Sequence, residues 1–577
     1  GNVPVVYVCE ADSEEEARKI HRLVWNQNAV PFLLVISRGW IRLYPGFRYE
    51  RDVDRDSMKG ALKFLDDFSR IATDLSSLRA EAVDSGLVWK EMGAAVTPDK
   101  RVDWQLLANL RELDGWLRKD GVGDRTLAHS MIGKFVYIYY LRQRQILSDT
   151  RLDQWGIDPN HVFGHAAQLN SFLRLVEQLD LWLNGSVFPL SVSKIREFGA
   201  ERIRKVASVF QGQEASSGQL PLFDVYDFSF IPIEALSVIY EQFLHDTEHS
   251  SGSSEGEARG AYYTPVPLVN FMLDRLDSRK PLSPGMRVFD PACGSGAFLV
   301  QCYRKLIERQ LQGNPNKRLR PVELGRLLTN HIFGVDIDDD ACQIAELSLS
   351  LTLLEYINPP DLTETSFKLP ALRDRNIFRA NAFDDKSPWY QQSRKRPFDW
   401  IVGNPPWKEL KPGDFDKPDE VAWNWIRAKS GDYPIGGNQL AEAFAWRASE
   451  LLAHDGVAAL LLPAMTLFKY ESTGFRKYFF QKNRLWAVAN FANFAEVLFA
   501  GRSRLPAAAV FYETNRDMAQ DGPGDNSVEV FSPLLANYPA GHAPSERKRK
   551  ETWNIVVNSG DLRDLDYRDI IDGAALP

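Results

Sequence analysis

Residues 398–410 read FDWIVGNPPWKEL. The first six carry aromatic and β-branched side chains with a single charge, the composition of a buried strand. Asn404 then ends the strand with an amide, Pro405 and Pro406 stiffen the backbone, and Trp407 offers a flat ring. The Asn404 side-chain carbonyl and the Pro405 backbone carbonyl are two acceptors held close together. Pro406 has no backbone N–H and so cannot compete for them. Two fixed acceptors beside an aromatic face suit a planar amino group.

Outward from this stretch, residues 261 to about 515 alternate apolar β-rich runs with helical patterns. RVFDPA, HIFGVDI, FDWIVGN, GVAALLLP, LWAVANF and AAAVFYE read as strands. GAFLVQCYRKLIERQL, DACQIAELSLSLTLLEY and LAEAFAWRASELL read as helices. The alternation predicts an α/β fold with a doubly wound sheet.

VFDPACGSGAFL, residues 288–299, is a strand, a tight glycine turn and a helix. Gly294 and Gly296 let the backbone turn sharply and approach a ligand with no Cβ in the way. The helix that follows points free amides at that ligand. The turn departs from the dinucleotide GxGxxG fingerprint and from the phosphate loop, which favours a nucleoside cofactor without a phosphate chain. The second strand ends in Asp336, whose carboxylate suits ribose hydroxyls. Asp336 lies 42 residues after Gly294, against roughly 20 in the dinucleotide pattern. A long helix and a GNPNKRLRP excursion fill the difference. A third strand ends near NIFRANAF, 376–383, with Asn381 as the candidate for an adenine contact.

DPACGSGAFL together with NPPW resembles the S-adenosylmethionine-dependent amino-group DNA methyltransferases. With YYTP (262–265) upstream of both, the order is similar to the gamma-type adenine-N6 enzymes of restriction–modification systems. The resemblance spans roughly 225–515 and extends to the large methyltransferases of type I, type IIG and DISARM defence systems. It implies that Tyr263, Thr264 and Pro265 border the methionine end of S-adenosylmethionine. It implies that Asp290 and the turn Ala292, Cys293, Gly294 to Gly296 hold the amino acid part, and that Asp336 with Ile337 holds the ribose side. Asn381 and Ala382 fall at the adenine, although the family often has Asp where this chain has Asn381; Asp384 is the fallback. Asn404, Pro405, Pro406 and Trp407 become the catalytic set. No metal is expected. An exocyclic adenine amine is a poor nucleophile because its lone pair is delocalised, and the two acceptors of NPPW redirect it. Trp407 then stacks on a base that has left the duplex, offsetting part of the flipping cost.

The remaining sequence frames this core. A chain of 577 residues with 44 % hydrophobic and 25 % charged residues reads as ordinary globular protein. No apolar run reaches membrane-span length and the N-terminus lacks a signal peptide, so a cytoplasmic protein without membrane contact is expected. Cys9, Cys293, Cys302 and Cys342 have neither zinc-ligand nor CxxC spacing and read as reduced thiols. A net charge of −8 argues against a uniformly basic coat but permits a local basic groove. Gly1 in place of an initiator Met points to a processed or excised chain. Residues 1–58 read strand, helix, strand, strand. They faintly resemble nuclease-like N-terminal domains of restriction proteins, but no Glu-x-Lys or Gln-x-Lys pair follows Val35, so a structural relic is expected. Residues 59–244 are helical by period, as in WQLLANLRELDGWLRK (104–119), LAHSMIGKFVYIYYLRQRQIL (127–147) and IEALSVIYEQFL (233–244). Residues 245–260, rich in Ser, Gly and Glu, read as a linker or lid. Residues 261–520 are the methyltransferase domain, and 521–577 the opening of a further domain.

The expected function is therefore methyl transfer from S-adenosylmethionine to adenine N6 in DNA, with a recognition domain or partner subunit of a defence system. Two rivals stand beside it. One is transfer to another planar amino group, in RNA or glutamine, against which the length, the helical region and YYTP speak. The other is a DNA-binding subunit whose methylation is autoinhibited or partner-dependent.

Overall fold

The protein is described by a computed structural model. The described residues are 4–49, 60–122, 124–183, 188, 190–212, 223–237, 239, 264–312, 317–363, 367–411, 413, 416–495, 498–499, 505–514, 527–536, 554–556 and 559–571. The chain divides into two units, Gly1–Phe243 with Asn537–Asn554, and Leu244–Ala536 with Ile555–Pro577. The expected linker or lid at 245–260 lies outside the described residues.

In the first unit, β1 (Val6–Glu10), β2 (Phe32–Ile36), β3 (Ile41–Pro45) and β4 (Lys63–Leu65) form one sheet in that order. The crossover helix Glu14–Gln27 makes β1 and β2 parallel, and β3 hairpins back antiparallel to β2. The Ser13 side chain caps this helix by accepting from the Glu16 amide at 3.2 Å, and Asn28 ends it in the left-handed region. Long helices follow at Val102–Lys119, Arg125–Gln143, Leu169–Leu183 and Ala200–Phe210. Tyr137, Tyr139 and Tyr140 are buried among them. The Asn26 amide joins the small sheet's helix to the helical stretch. It donates to the Val225 carbonyl at 3.1 Å and accepts from the Asp227 amide at 2.9 Å.

The second unit is built on a nine-stranded sheet. Its strands include β5 (Val288–Asp290), β6 (Ile332–Asp336), β7 (Ile377–Arg379), β8 (Phe398–Gly403) and β9 (Leu452–Pro463). They continue with β10 (Asn483–Asn490), β11 (Ala507–Thr514) and β12 (Ser527–Phe531). The order across the sheet is Leu562–Asp566, β12, β10, β11, β9, β8, β5, β6, β7. β5 pairs in parallel with both β6 and β8, β6 with β7, and β8 with β9, while β11 runs antiparallel to β9 and β10. The chain winds outward from β5 to β7 and then returns to β5's other side as β8. That reversal is a topological switch point, where open α/β sheets bind ligands beyond their strand ends. The expected boundary at 520 falls inside this sheet, because β12 pairs with β10 and the Leu562–Asp566 strand pairs with β12.

Apolar packing locks β5 and β8 together. The Phe289 ring stacks on Phe398 at 4.4 Å and on Trp389 at 5.4 Å. Behind the strand tips, the helix Leu440–Leu451 carries Arg447, which is fully buried. Its guanidinium donates to the Ala382 carbonyl at 2.8 Å, to Asp385 at 2.6 Å and to Glu450 at 2.9 Å, and lies 4.1 Å over the Tyr390 ring. One side chain thereby holds the loop after β7 against the helix. Arg447→Met keeps most of the volume but removes every one of those donors. We expect it to lose about 2–3 kcal/mol of stability, seen as a lower midpoint of urea unfolding. A wild-type midpoint would show that the loop is held by packing alone.

Candidate active site

The first strand tip is Asp290, 1 % exposed. Its Oδ1 accepts from the Ala292 amide at 3.0 Å. On the neighbouring strand Gly403 comes so close that a Cβ there would lie 2.6 Å from the same oxygen. Burial pushes the Asp290 carboxyl up to about 8. The Ala292 N–H pulls the other way, and the nearby Asp336 adds to the rise.

The glycine turn is tied to the second strand. The Cys293 amide donates to the Val335 carbonyl at 3.0 Å, and the Gly296 amide to the Cys293 carbonyl at 2.8 Å. Gly294 and Gly296 adopt φ of 50° and 85°, a region that side chains disfavour. The Asp336 carboxylate then accepts from the Gly294 amide through Oδ2 and from the Asp338 amide through Oδ1, both at 2.9 Å. Gly334 packs so closely that a Cβ would lie 2.7 Å from Leu299 and 2.9 Å from Cys293. A Cβ on Gly294, by contrast, would enter open space. Beside Asp336, Ile337 is 40 % exposed at the strand tip.

The third tip differs from expectation. The Asn381 side chain builds its own loop: the amide nitrogen donates to the Pro418 carbonyl at 2.9 Å, and Oδ1 accepts from the Phe383 amide at 2.9 Å. The second contact is an Asx turn, a common use of Asn after a strand. Asp384 likewise accepts from the Lys386 amide. Ala382 is buried under Arg447. The polar atoms at this tip are thus spent on local structure.

The fourth tip is Asn404. Its Nδ2 donates to Thr264 Oγ1 at 3.0 Å, across 140 residues of sequence. Thr264 is buried, and Pro265 precedes the helix Val266–Arg279. Tyr263 lies outside the described residues. The bond from Nδ2 to Thr264 fixes which end of the Asn404 amide is donor and which is acceptor. Trp407 is buried, with its indole N–H donating to the Leu461 carbonyl at 3.2 Å and its ring meeting Phe499 edge-on at 5.5 Å. It lines a cavity of about 440 Å³ with Lys408, Gln439, Pro463, Met465 and Leu505. The Pro406 ring is partly exposed and Pro405 is buried.

The structure therefore brings Thr264, Asp290, the glycine turn, Asp336 and Asn404–Trp407 to one edge of one sheet, the edge where β5, β6, β8 and β9 end. The roles of Phe499 and Arg447 were missed by the sequence reading. Phe499 sits in an aromatic-rich stretch without a clear period, whereas Arg447 is a charge inside an otherwise apolar helical run and is visible in that sense. Among the described residues no group of His, Cys, Asp and Glu could hold a metal ion, and no helix is long and apolar enough to cross a membrane.

The profile of the N-6 DNA Methylase family matches residues 232–523, half of the chain. The chain belongs to that family. It is similar to the methylase subunit of the type I restriction enzyme HindI from Haemophilus influenzae, 26 % identical over 175 residues, or 30 % of this chain and 34 % of the relative. It is similar also to the EcoEI methylase subunit from Escherichia coli, 26 % identical over 233 residues, or 40 % of this chain and 36 % of the relative. The matches thus span about a third of the length of these curated relatives. Among solved structures, a type I restriction-modification methyltransferase subunit from Streptococcus thermophilus aligns with a TM-score of 0.46 at 15 % identity, over 75 % of this chain and 87 % of that one.

The Asp290 shift carries a sign. Unfolded, the carboxyl loses its proton near pH 3.9; folded, it keeps it until about pH 8. Between those values folding takes up a proton, so this group's contribution becomes less favourable as pH rises. Asp290→Asn has no proton to lose. Relative to wild type, the variant's unfolding free energy is expected to gain up to about 1.4 kcal/mol per pH unit from pH 5 to 8. Parallel profiles for the two proteins would contradict a buried, protonated Asp290.

Proposed function

We propose that this chain transfers a methyl group from S-adenosylmethionine to the N6 amino group of adenine in DNA, as the modification activity of a restriction or phage-defence system. The observation that carries the reading is the Asn404 amide turned by Thr264 at the end of β8, one strand from the glycine turn on β5.

The residues present fit the cofactor. The face of Gly294 without a Cβ leaves open space where a ligand backbone can lie. The helix Ala297–Leu311 begins there without a side-chain cap, and the first amides of a helix have no partner within it. Asp290 and the Ala292–Gly296 turn would hold the amino acid part, with Thr264 and Pro265 bordering the methionine end. Asp336, aimed by two backbone amides, would take the ribose hydroxyls, and the exposed Ile337 would cover an adenine face. Asn381 and Ala382 would contribute through the shape of their loop, because the Asn381 side chain is already used. Bound there, S-adenosylmethionine supplies an electrophilic methyl group on a sulfonium.

The chain's own part is to aim the amine. Asn404 Oδ1 and the Pro405 carbonyl accept its two N–H bonds and draw the lone pair out of conjugation. As the nitrogen becomes tetrahedral and positive, the same acceptors stabilise the charge without reorganising, since the prolines and Thr264 hold them. Trp407, fixed by the Leu461 carbonyl and the edge of Phe499, gives the base a rigid wall to stack on. Alignment supplies much of the rate. The partner is DNA, read by a recognition domain or a second subunit.

Tritiated methyl transfer to mixed-sequence DNA tests this. Asn404→Ala is expected to lower transfer by about 100-fold or more while leaving the S-adenosylmethionine dissociation constant nearly unchanged. Asp336→Ala is expected to weaken cofactor binding itself. Wild-type transfer by Asn404→Ala would refute the mechanism.

A further inference from the structure

Beyond Pro463 the chain leaves β9 on the same edge of the sheet as Asn404 and makes a compact turn before the helix Thr473–Lys482. The turn carries an unusual surface. Tyr470 is 88 % exposed, and Phe468 and Met465 each expose about two-fifths of their area. Met465 and Lys469 line the cavity beside Trp407, as does the exposed Lys411. An isolated exposed aromatic needs no explanation, but Phe468 and Tyr470 flank Lys469, which together with Met465 of the same turn lines the cavity.

The backbone beneath them is heavily bonded. Arg476 donates to the Thr466 carbonyl at 3.1 Å and the Lys469 carbonyl at 2.7 Å. The Lys469 amide bonds the Met465 carbonyl at 2.7 Å, and the Ala464 amide bonds the Pro506 carbonyl at 2.7 Å. The buried Glu442 receives Ser472 Oγ at 2.5 Å through one oxygen and the Gly436 amide at 2.6 Å through the other. Gly436 lies so close under the turn that a Cβ would be 2.6 Å from the Glu471 carbonyl oxygen. Lys469 pairs with Glu409 at 2.6 Å, only two residues beyond Trp407. A turn fastened by several hydrogen bonds, with Glu442 and Ser472 buried beneath it, yet showing aromatic rings to water, is a rigid display.

We infer that Met465–Tyr470 is a strand-holding lip, on which Phe468 and Tyr470 stack against bases flanking the nucleotide that enters the Trp407 cavity. This rests on the methyltransferase reading and adds a second DNA contact to it. A base drawn from a duplex leaves its neighbours without a stacking partner, and an aromatic ring replaces that partner for any base. At the cavity mouth Lys469 is paired with Glu409, which also lines the cavity, and Lys411 adds a further positive charge; a cation beside exposed rings suits a nucleic-acid strand better than an apolar protein surface. Because stacking ignores base identity, the lip serves affinity and opening and leaves sequence choice to other parts.

The test uses the full chain and mixed-sequence DNA in which thymidine is replaced by 5-bromodeoxyuridine. Irradiation and peptide mapping are expected to place crosslinks within 465–475. Tyr470→Ala is expected to weaken DNA binding about tenfold, with Tyr470→Trp restoring it and the S-adenosylmethionine dissociation constant unchanged in both. The exposed position of Tyr470 makes either replacement compatible with folding. Crosslinks confined elsewhere, or DNA binding by Tyr470→Ala equal to wild type, with methyl transfer intact, would overturn the lip and leave the methyltransferase reading standing. Absence of both DNA binding and methyl transfer in the wild-type protein would overturn the two together.

Discussion

The site depends on how closely two parallel strands end beside each other. Gly403 closes β8 against Asp290 at the end of β5, and a single added methyl group would fall within 2.6 Å of the carboxyl oxygen. That approach sets the NPPW turn beside the glycine turn. Hydrophobic stacking of Phe289 on Phe398 holds the strands from below, and the Asp336 carboxylate holds the glycine turn from the other side. The candidate cofactor cradle and the turn proposed to hold the amine are therefore joined through one set of contacts. A reaction that depends on alignment requires this.

The same closeness is costly. Asp290 is buried with another carboxylate nearby, and its proton is held to about pH 8. Strongly perturbed carboxyls cluster at functional sites, although structural networks shift them too. Arg447 shows the opposite solution: a buried charge with its donors satisfied, spent on positioning a loop.

Much of this was legible in the sequence, because strand and helix periods are local. Each strand expected from RVFDPA to AAAVFYE is present, and the sheet's parallel core follows from their alternation with helices. Contacts made at long range were not legible. Nothing local pairs β12 with β10 or turns Asn404 toward Thr264, 140 residues earlier. Nor does composition reveal that Asn381 is spent on its own loop. The helix expected over 127–147 stops at Gln143 because Gln145 takes φ of 60°, a left-handed turn made without the glycine that would have signalled it. Thr264, Asp290, Asp336 and Asn404 lie at the ends of neighbouring elements, as their shared chemistry in the sequence suggests, whereas Phe499 and the lip at 465–470 acquire meaning only from what they stand beside.

The most direct measurement is the identity of the methylated product. DNA incubated with the protein and labelled S-adenosylmethionine would be digested to nucleosides and resolved by mass spectrometry. Two acceptors at Asn404 and Pro405 with an aromatic wall at Trp407 suit a planar amine, and membership of the N-6 DNA Methylase family makes N6-methyladenine the expected labelled nucleoside. Label on N4-methylcytosine, or on protein glutamine in place of DNA, would contradict the account.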